Sequence, residues 1–170
     1  HPINAESGGP SAVSMAQTRA LHTTHGIYTS DQVREAIRPS RLNAPRRRVL
    51  SVENTTNYGG GSIWPIEEIA AVTAVAKEHG MATHMDGARL LNAVVEGGTS
   101  AKEYGKYFDS LWIDLSKGLG CPIGGVLAGS THFIDQAWRF KQQFGGAMRQ
   151  AGIIAAAGVY ALENNVERLA

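Results

Sequence analysis

The chain has 170 residues, enough for one core-bearing domain or part of a larger one. Hydrophobic residues make up 43% and charged residues 18%, and 16 Lys and Arg against 15 Asp and Glu leave a net charge of +1, a globular balance with no field for nucleic acid. The single cysteine, Cys121, excludes an intrachain disulfide and a cysteine-rich zinc cage and fits a reducing, cytoplasmic setting, while the apolar runs are too short and too rich in Gly and Ala to span a bilayer.

In chain order, short apolar runs alternate with amphipathic stretches, the pattern of an α/β fold with a mostly parallel sheet flanked by helices. Arg41 and Arg46-Arg47-Arg48 precede the first such run and read as a solvated approach to a strand, with a phosphate-binding patch as the alternative. Strands are predicted at 49–52, 81–85, 110–115 and 125–128, each bounded by glycine, asparagine or a charged residue. Pro65 opens a helix through Ala76 that ends near Gly80, and a second helix is predicted over 87–95. Ser100 and Glu103 have capping-box spacing for a short helix before Asp109. Helices over 133–143 and 150–166 follow, separated by Gly145-Gly146. The chain opens on His1-Pro2 without a methionine and stops at Ala170 inside a helical pattern, which reads as an excerpt of a longer protein.

Chemistry concentrates at two strand ends. Lys117 sits between the apolar run Leu111 to Leu115 and a glycine-rich turn. A lysine at such a place is ordinarily a solvated surface residue. Held among Leu115, Leu119, Pro122 and Ile123, it would instead be desolvated towards the neutral amine, a nucleophile for an aldehyde. Upstream, His84-Met85-Asp86-Gly87-Ala88-Arg89 places an acid and a base at a second strand-to-helix junction. Asp86 caps the helix that follows, or pairs with a protonated pyridine nitrogen, and one residue can do both. Arg89 binds an anion or forms a surface ion pair. Glycines cluster after the strands, where parallel sheets bind ligands, although turns need glycine whatever the function. Together these features suggest pyridoxal phosphate.

The residues that carry a family resemblance are 1–11 (His-Pro-Ile-Asn-Ala-Glu-Ser-Gly-Gly-Pro-Ser), Ser51-Val52-Glu53-Asn54-Thr55, the 84–89 segment, Leu115-Ser116-Lys117-Gly118-Leu119-Gly120 and 145–152 (Gly-Gly-Ala-Met-Arg-Gln-Ala-Gly). In this order and spacing the chain resembles the threonine aldolases, in the aromatic amino acid beta-eliminating lyase/threonine aldolase group of fold-type I pyridoxal-phosphate enzymes. The resemblance implies an aspartate-aminotransferase-like large domain, of which residues 1–170 would be the central part. An N-terminal phosphate loop and a C-terminal small domain would lie outside the chain. It implies that Lys117 carries pyridoxal 5'-phosphate, that Asp86 partners the pyridine nitrogen, and that His1 stacks on the ring. Arg89 would lie near the cofactor and the substrate carboxylate. Arg149 would reach the cofactor phosphate across a subunit interface, in a homodimer or homotetramer.

The implied activity is retro-aldol cleavage of L-threonine, L-allo-threonine or a related β-hydroxy-α-amino acid to glycine and an aldehyde. The catalytic residues would be Lys117, Asp86 and His1. A phenylserine aldolase, another fold-type I lyase or an aminotransferase would share Lys117 and Asp86, and a non-catalytic interaction module is the alternative of a different class. Thr56 stands where many members carry a second active-site histidine, which removes one candidate base and leaves β-carbon stereopreference open. His22, His25, His79 and His132 lack metal-ligand spacing, and no metal is expected. His84 shares a strand side with Asp86 and reads as a packed strand histidine, and Cys121 reads as a small buried filler.

Overall fold

A computed structural model describes His1 and residues 3–169. Four strands form one sheet in the order β1-β2-β3-β4: β1 (Val49–Glu53), β2 (Ala82–Asp86), β3 (Ser110–Asp114) and β4 (Gly125–Gly129). The first three are parallel, and β4 runs antiparallel on the edge against β3. Parallel neighbours need long crossovers. These are supplied by α3 (Ile66–Glu78) between β1 and β2, and by α4 (Leu90–Gly97) with α5 (Ala101–Gly105) between β2 and β3. The other helices are α1 (Gly9–Ser14), α2 (Ser30–Ala36), α6 (Thr131–Gln143) and α7 (Gly152–Asn164). All four strands lie where the sequence predicts them, within a residue at each end.

Alternation along the strands sends the apolar residues to one face. Leu50 is level with Thr83, and Val52 with Met85, so these four side chains share a side of the sheet. There they meet Ile69, Val72, Val75 and Ala76 of α3, together with Trp64, Leu90, Tyr104 and Val33, in one buried cluster. Within this core Tyr28 stacks edge-on against Trp64 at 4.8 Å and donates its hydroxyl to the Ser51 carbonyl at 2.7 Å. The opposite side carries the polar partners of the alternation: Ser51, Glu53, His84, Asp86, Ser110, Trp112 and Asp114. A second, smaller core of Leu115, Leu119, Cys121 and Ala161 holds the turn after β3 against α7. Cys121 is the buried filler expected of it, its thiol directed at the Ala157 carbonyl at 3.4 Å.

Local chemistry explains where the elements begin. Ser100 Oγ accepts from the Glu103 N–H at 3.1 Å, so the predicted capping serine works at the start of α5. Ser130 does the same for Phe133 at the start of α6, at 3.2 Å. The helix predicted over 87–95 starts three residues late, at Leu90, because residues 87–89 form the turn that leaves β2. The final helix is shorter than the predicted 150–166 and runs from Gly152 to Asn164. Among the described residues, α1 and α2 are the α-helices without a sequence expectation. For α2 a signal was present: Thr29 and Gln32 form a reciprocal capping box.

Ile69 is fully buried between α3 and the sheet. Ile69→Ala is expected to destabilise the protein by about 3 kcal/mol, seen as a lower urea midpoint. An unchanged midpoint would contradict the packing.

Candidate functional site

Parallel pairing brings Glu53, the last residue of β1, level with Asp86, the last of β2, and Asp86 level with Trp112 in the middle of β3. These residues, with His1, Glu6, Ala88, Arg89, Asp114 and Lys117, line a cavity of about 450 Å³. That size is in the range of small-molecule sites. Four of the five expected site residues, Lys117, Asp86, Arg89 and His1, therefore meet in one place. Arg149 does not: it is exposed on the connection between α6 and α7 and is not among the residues lining this chain's cavity.

Asp86 ends β2, and its Oδ1 accepts from the Ala88 N–H at 3.2 Å. It thus closes the turn after the strand, while the first turn of α4 has no side-chain cap. Gly87 makes this turn possible. Its N–H donates to the Trp112 carbonyl at 3.0 Å, and a Cβ there would meet that same oxygen at 2.6 Å. Asp86 and Arg89 are consequently not neighbours on one helical face, yet the turn delivers both to the cavity.

The surroundings of Lys117 correct the expectation of an apolar wall. Leu115 and Leu119 turn into the second core, Pro122 and Ile123 are exposed, and the lysine side chain is 36% exposed. Its Nζ donates to Asp114 Oδ2 and lies 5.5 Å from the Trp112 ring centroid. A carboxylate, not hydrocarbon, sets the environment of this ammonium. Burial pushes the Asp114 carboxyl upward, but hydrogen bonds from Lys117 and from Ser116 outweigh it and hold the group below the usual carboxylate range.

His1 stands between two carboxylates, with Nδ1 3.2 Å from Glu53 Oε1 and Nε2 3.5 Å from Glu6 Oε1. The first separation is short but lacks hydrogen-bond alignment, so the buried Nδ1 has no hydrogen-bond partner. Tyr58 meets the ring edge-on at 5.1 Å. Burial raises the Glu53 carboxyl above its usual range and the Asp86 charge adds to this, opposed by the Asn57 backbone N–H and Arg89. His1, Glu53 and Asp86 offer ligand atoms within 4.8 Å of one another, a cluster that attracts positive charge.

Sequence reading missed Glu53, Glu6, Asp114 and Trp112 as cavity residues. The period-2 alternation of β1 puts Glu53 on the polar side, but only the pairing register places it beside Asp86. Asp114 could have been found as the acid three residues before Lys117. His84 is the packed strand histidine expected: Nδ1 contacts Ser110 Oγ at 2.8 Å, and burial lowers its pKa against the opposing effect of Asp86. His22, His25, His79 and His132 are exposed, away from the cavity. Thr56 is buried, and its hydroxyl donates to the His25 carbonyl at 2.9 Å, so it stitches two loops together and does not line the cavity.

A mostly parallel sheet that brings a lysine, an aspartate and an arginine from its strand ends to one cavity is the large-domain architecture of the fold-type I class. Superposition supports this assignment: a Listeria monocytogenes protein solved as a candidate L-allo-threonine aldolase matches with a TM-score of 0.84 at 26% identity, over 99% of this chain and 46% of that one. The chain belongs to the beta-eliminating lyase family, whose sequence profile matches residues 1–170. It is 42% identical over 170 residues to the low specificity L-threonine aldolase of Escherichia coli K12, covering 99% of this chain and 50% of that protein. To the low-specificity L-threonine aldolase of Candida albicans it is 40% identical over 173 residues, covering 99% and 46%. The chain spans about half the length of the curated relatives it matches.

Glu53 offers a test of the site's electrostatics. A carboxyl with a raised folded-state pKa costs no stability below its unfolded value and an increasing amount as pH rises through the carboxylate range. Glu53→Gln is therefore expected to match the parent in cofactor-free denaturant unfolding below about pH 4 and to exceed it at pH 7. Lower stability of the variant at pH 7 would overturn this account of Glu53.

Proposed function

We propose that the complete protein is a pyridoxal-phosphate-dependent aldolase that cleaves L-threonine, L-allo-threonine or a related β-hydroxy-α-amino acid to glycine and an aldehyde. One observation carries the reading: Lys117 and Asp86 face the same cavity from adjacent strand ends, with His1 and Arg89 on its wall. The residues present fit the cofactor. Lys117 is an amine within the cavity, Asp86 and Glu53 supply negative charge for a cationic ring nitrogen, and His1 offers a ring with an unpartnered buried nitrogen. When bound, the group supplies an aldehyde that takes up amines and an electron sink for the carbanion left when Cα–Cβ breaks.

The chain's own residues do the remaining work. Lys117 provides the covalent anchor and must give up a proton to act as a nucleophile. Asp86 keeps the ring nitrogen protonated, held in position by its own turn through Ala88. Arg89 has no carboxylate within ion-pair distance among the described residues, which leaves its guanidinium for the substrate carboxylate. His1, between Glu53 and Glu6, is placed to exchange a proton with the substrate hydroxyl, directly or through a water. Thr56 supplies no second base, because its hydroxyl is committed to the His25 carbonyl.

The same proposal includes a homo-oligomer with sites at its interfaces. Arg149 is free of its own cavity and, on this reading, reaches a neighbour's cofactor phosphate. Trp138, Phe140, Phe144, Met148 and Ile153, on and between α6 and α7, are at least half exposed, a surface that suits a second copy. Residues 1–170 then form the central part of a large domain, with the remaining phosphate and carboxylate contacts supplied from outside this chain. No helix among the described residues is long and apolar enough to cross a membrane, and with one cysteine a cytoplasmic setting is proposed.

The test supplies the purified complete protein with pyridoxal phosphate and with L-threonine, L-allo-threonine and phenylserine in parallel. Equal amounts of glycine and aldehyde are expected, and Lys117→Ala should fall to background. Pyruvate and ammonia, a keto acid, or no product at all would sink the aldolase assignment.

A further inference from the structure

We propose that Asp114 is the counter-ion that pairs with the Lys117 side chain in the cofactor-free protein, so that cofactor capture is gated by opening of that pair. The inference rests on the reading of Lys117 as the covalent anchor and adds a positioning residue to it.

The arrangement is specific. Asp114 is the last residue of β3, level with Gly125 of β4, and its side chain is 11% exposed. One carboxylate oxygen is fixed locally, Oδ1 accepting from the Ser116 N–H at 2.8 Å and from Ser116 Oγ at 2.7 Å. The other, Oδ2, is thereby aimed at Lys117 Nζ and accepts its hydrogen bond. Trp112 lies under the same ammonium. The other charged groups facing this cavity are Glu53 from β1, Asp86 and Arg89 from the turn after β2, and His1 and Glu6 from the N-terminal segment. Among the described residues, Asp114 is the only carboxylate within 4.0 Å of Nζ.

Capture of an aldehyde consumes one neutral amine and releases one water, so the ammonium must first lose its proton to solvent. The hydrogen bond to Asp114 must open as well before the amine can attack. Because Asp114 stays ionised under the hydrogen bonds from Ser116 and Lys117, it exerts this restraint throughout the neutral range. The same pair holds the Lys117 amine at the cavity wall, beside Trp112.

The experiment compares the complete protein, stripped of cofactor, with its Asp114→Asn and Asp114→Glu variants. Acetic anhydride labelling of Lys117 at pH 8 is read peptide by peptide, with Lys77 on α3 as the internal control. Asp114→Asn is expected to raise Lys117 labelling about fivefold, the scale of one partly exposed ion pair, while Asp114→Glu restores protection and Lys77 is unchanged. Ser116→Ala, which frees one of the two bonds to Oδ1, should raise labelling by a smaller factor and covers the case in which Asp114→Asn disturbs folding. Equal labelling of Lys117 in parent, Asp114→Asn and Ser116→Ala overturns the proposal. Pyridoxal phosphate uptake at the same pH separates the two readings. Faster uptake by Asp114→Asn supports the gate, unchanged uptake despite the labelling difference overturns it, and no adduct on Lys117 in any protein overturns both the anchor and the gate.

Discussion

In-register parallel pairing of β1, β2 and β3 is the constraint on which the cavity depends. It sets Glu53, Asp86 and Trp112 side by side on one face of the sheet, although they are far apart in the chain. A slip of one residue would send each of these side chains through to the apolar core and bring Val52 or Met85 out in their place. The register is secured on the far side of the sheet, where Leu50, Val52, Thr83 and Met85 pack against α3 with almost no exposure. One face therefore supplies the stabilisation, and the other is left to carry charge.

That charge is unevenly held. Four carboxylates, Glu6, Glu53, Asp86 and Asp114, share the cavity with Arg89, Lys117 and His1. Asp114 has a lysine and a serine to satisfy it and remains firmly ionised. Glu53 has burial and the charge of Asp86 working against it, which raise its carboxyl above the usual range. Two carboxylates in one cavity are thus driven in opposite directions, Asp114 by its hydrogen bonds and Glu53 chiefly by burial.

The turn after β3 has its own support. Leu115, Leu119 and Cys121 pack inward on α7, so Ser116, Lys117 and Gly118 stand outward on a rigid base. Gly120 closes this turn with φ 76°, a left-handed conformation that suits glycine, and its N–H donates to the Lys117 carbonyl at 3.0 Å. The lysine is thus presented from a packed turn instead of a floppy loop. Thr56 plays the same kind of part near the end of β1, where it ties the 57–62 loop to His25.

The sequence by itself determined the α/β class and the positions of all four strands, and it singled out four residues, His1, Asp86, Arg89 and Lys117, that the fold brings to one cavity, because strand alternation and strand-end motifs are local signals. It also determined family membership, through segments whose order survives without knowledge of their contacts. Only the tertiary structure decided that β4 runs antiparallel, that Glu53 and Trp112 flank Asp86, and that Lys117 meets Asp114 in place of an apolar wall. These depend on register and on which side of a turn faces the core, and neither is encoded in the spacing of residues along one segment. The leucines around Lys117 suggested burial when read in one dimension; in three they point away, because the second core needs them more than the lysine does.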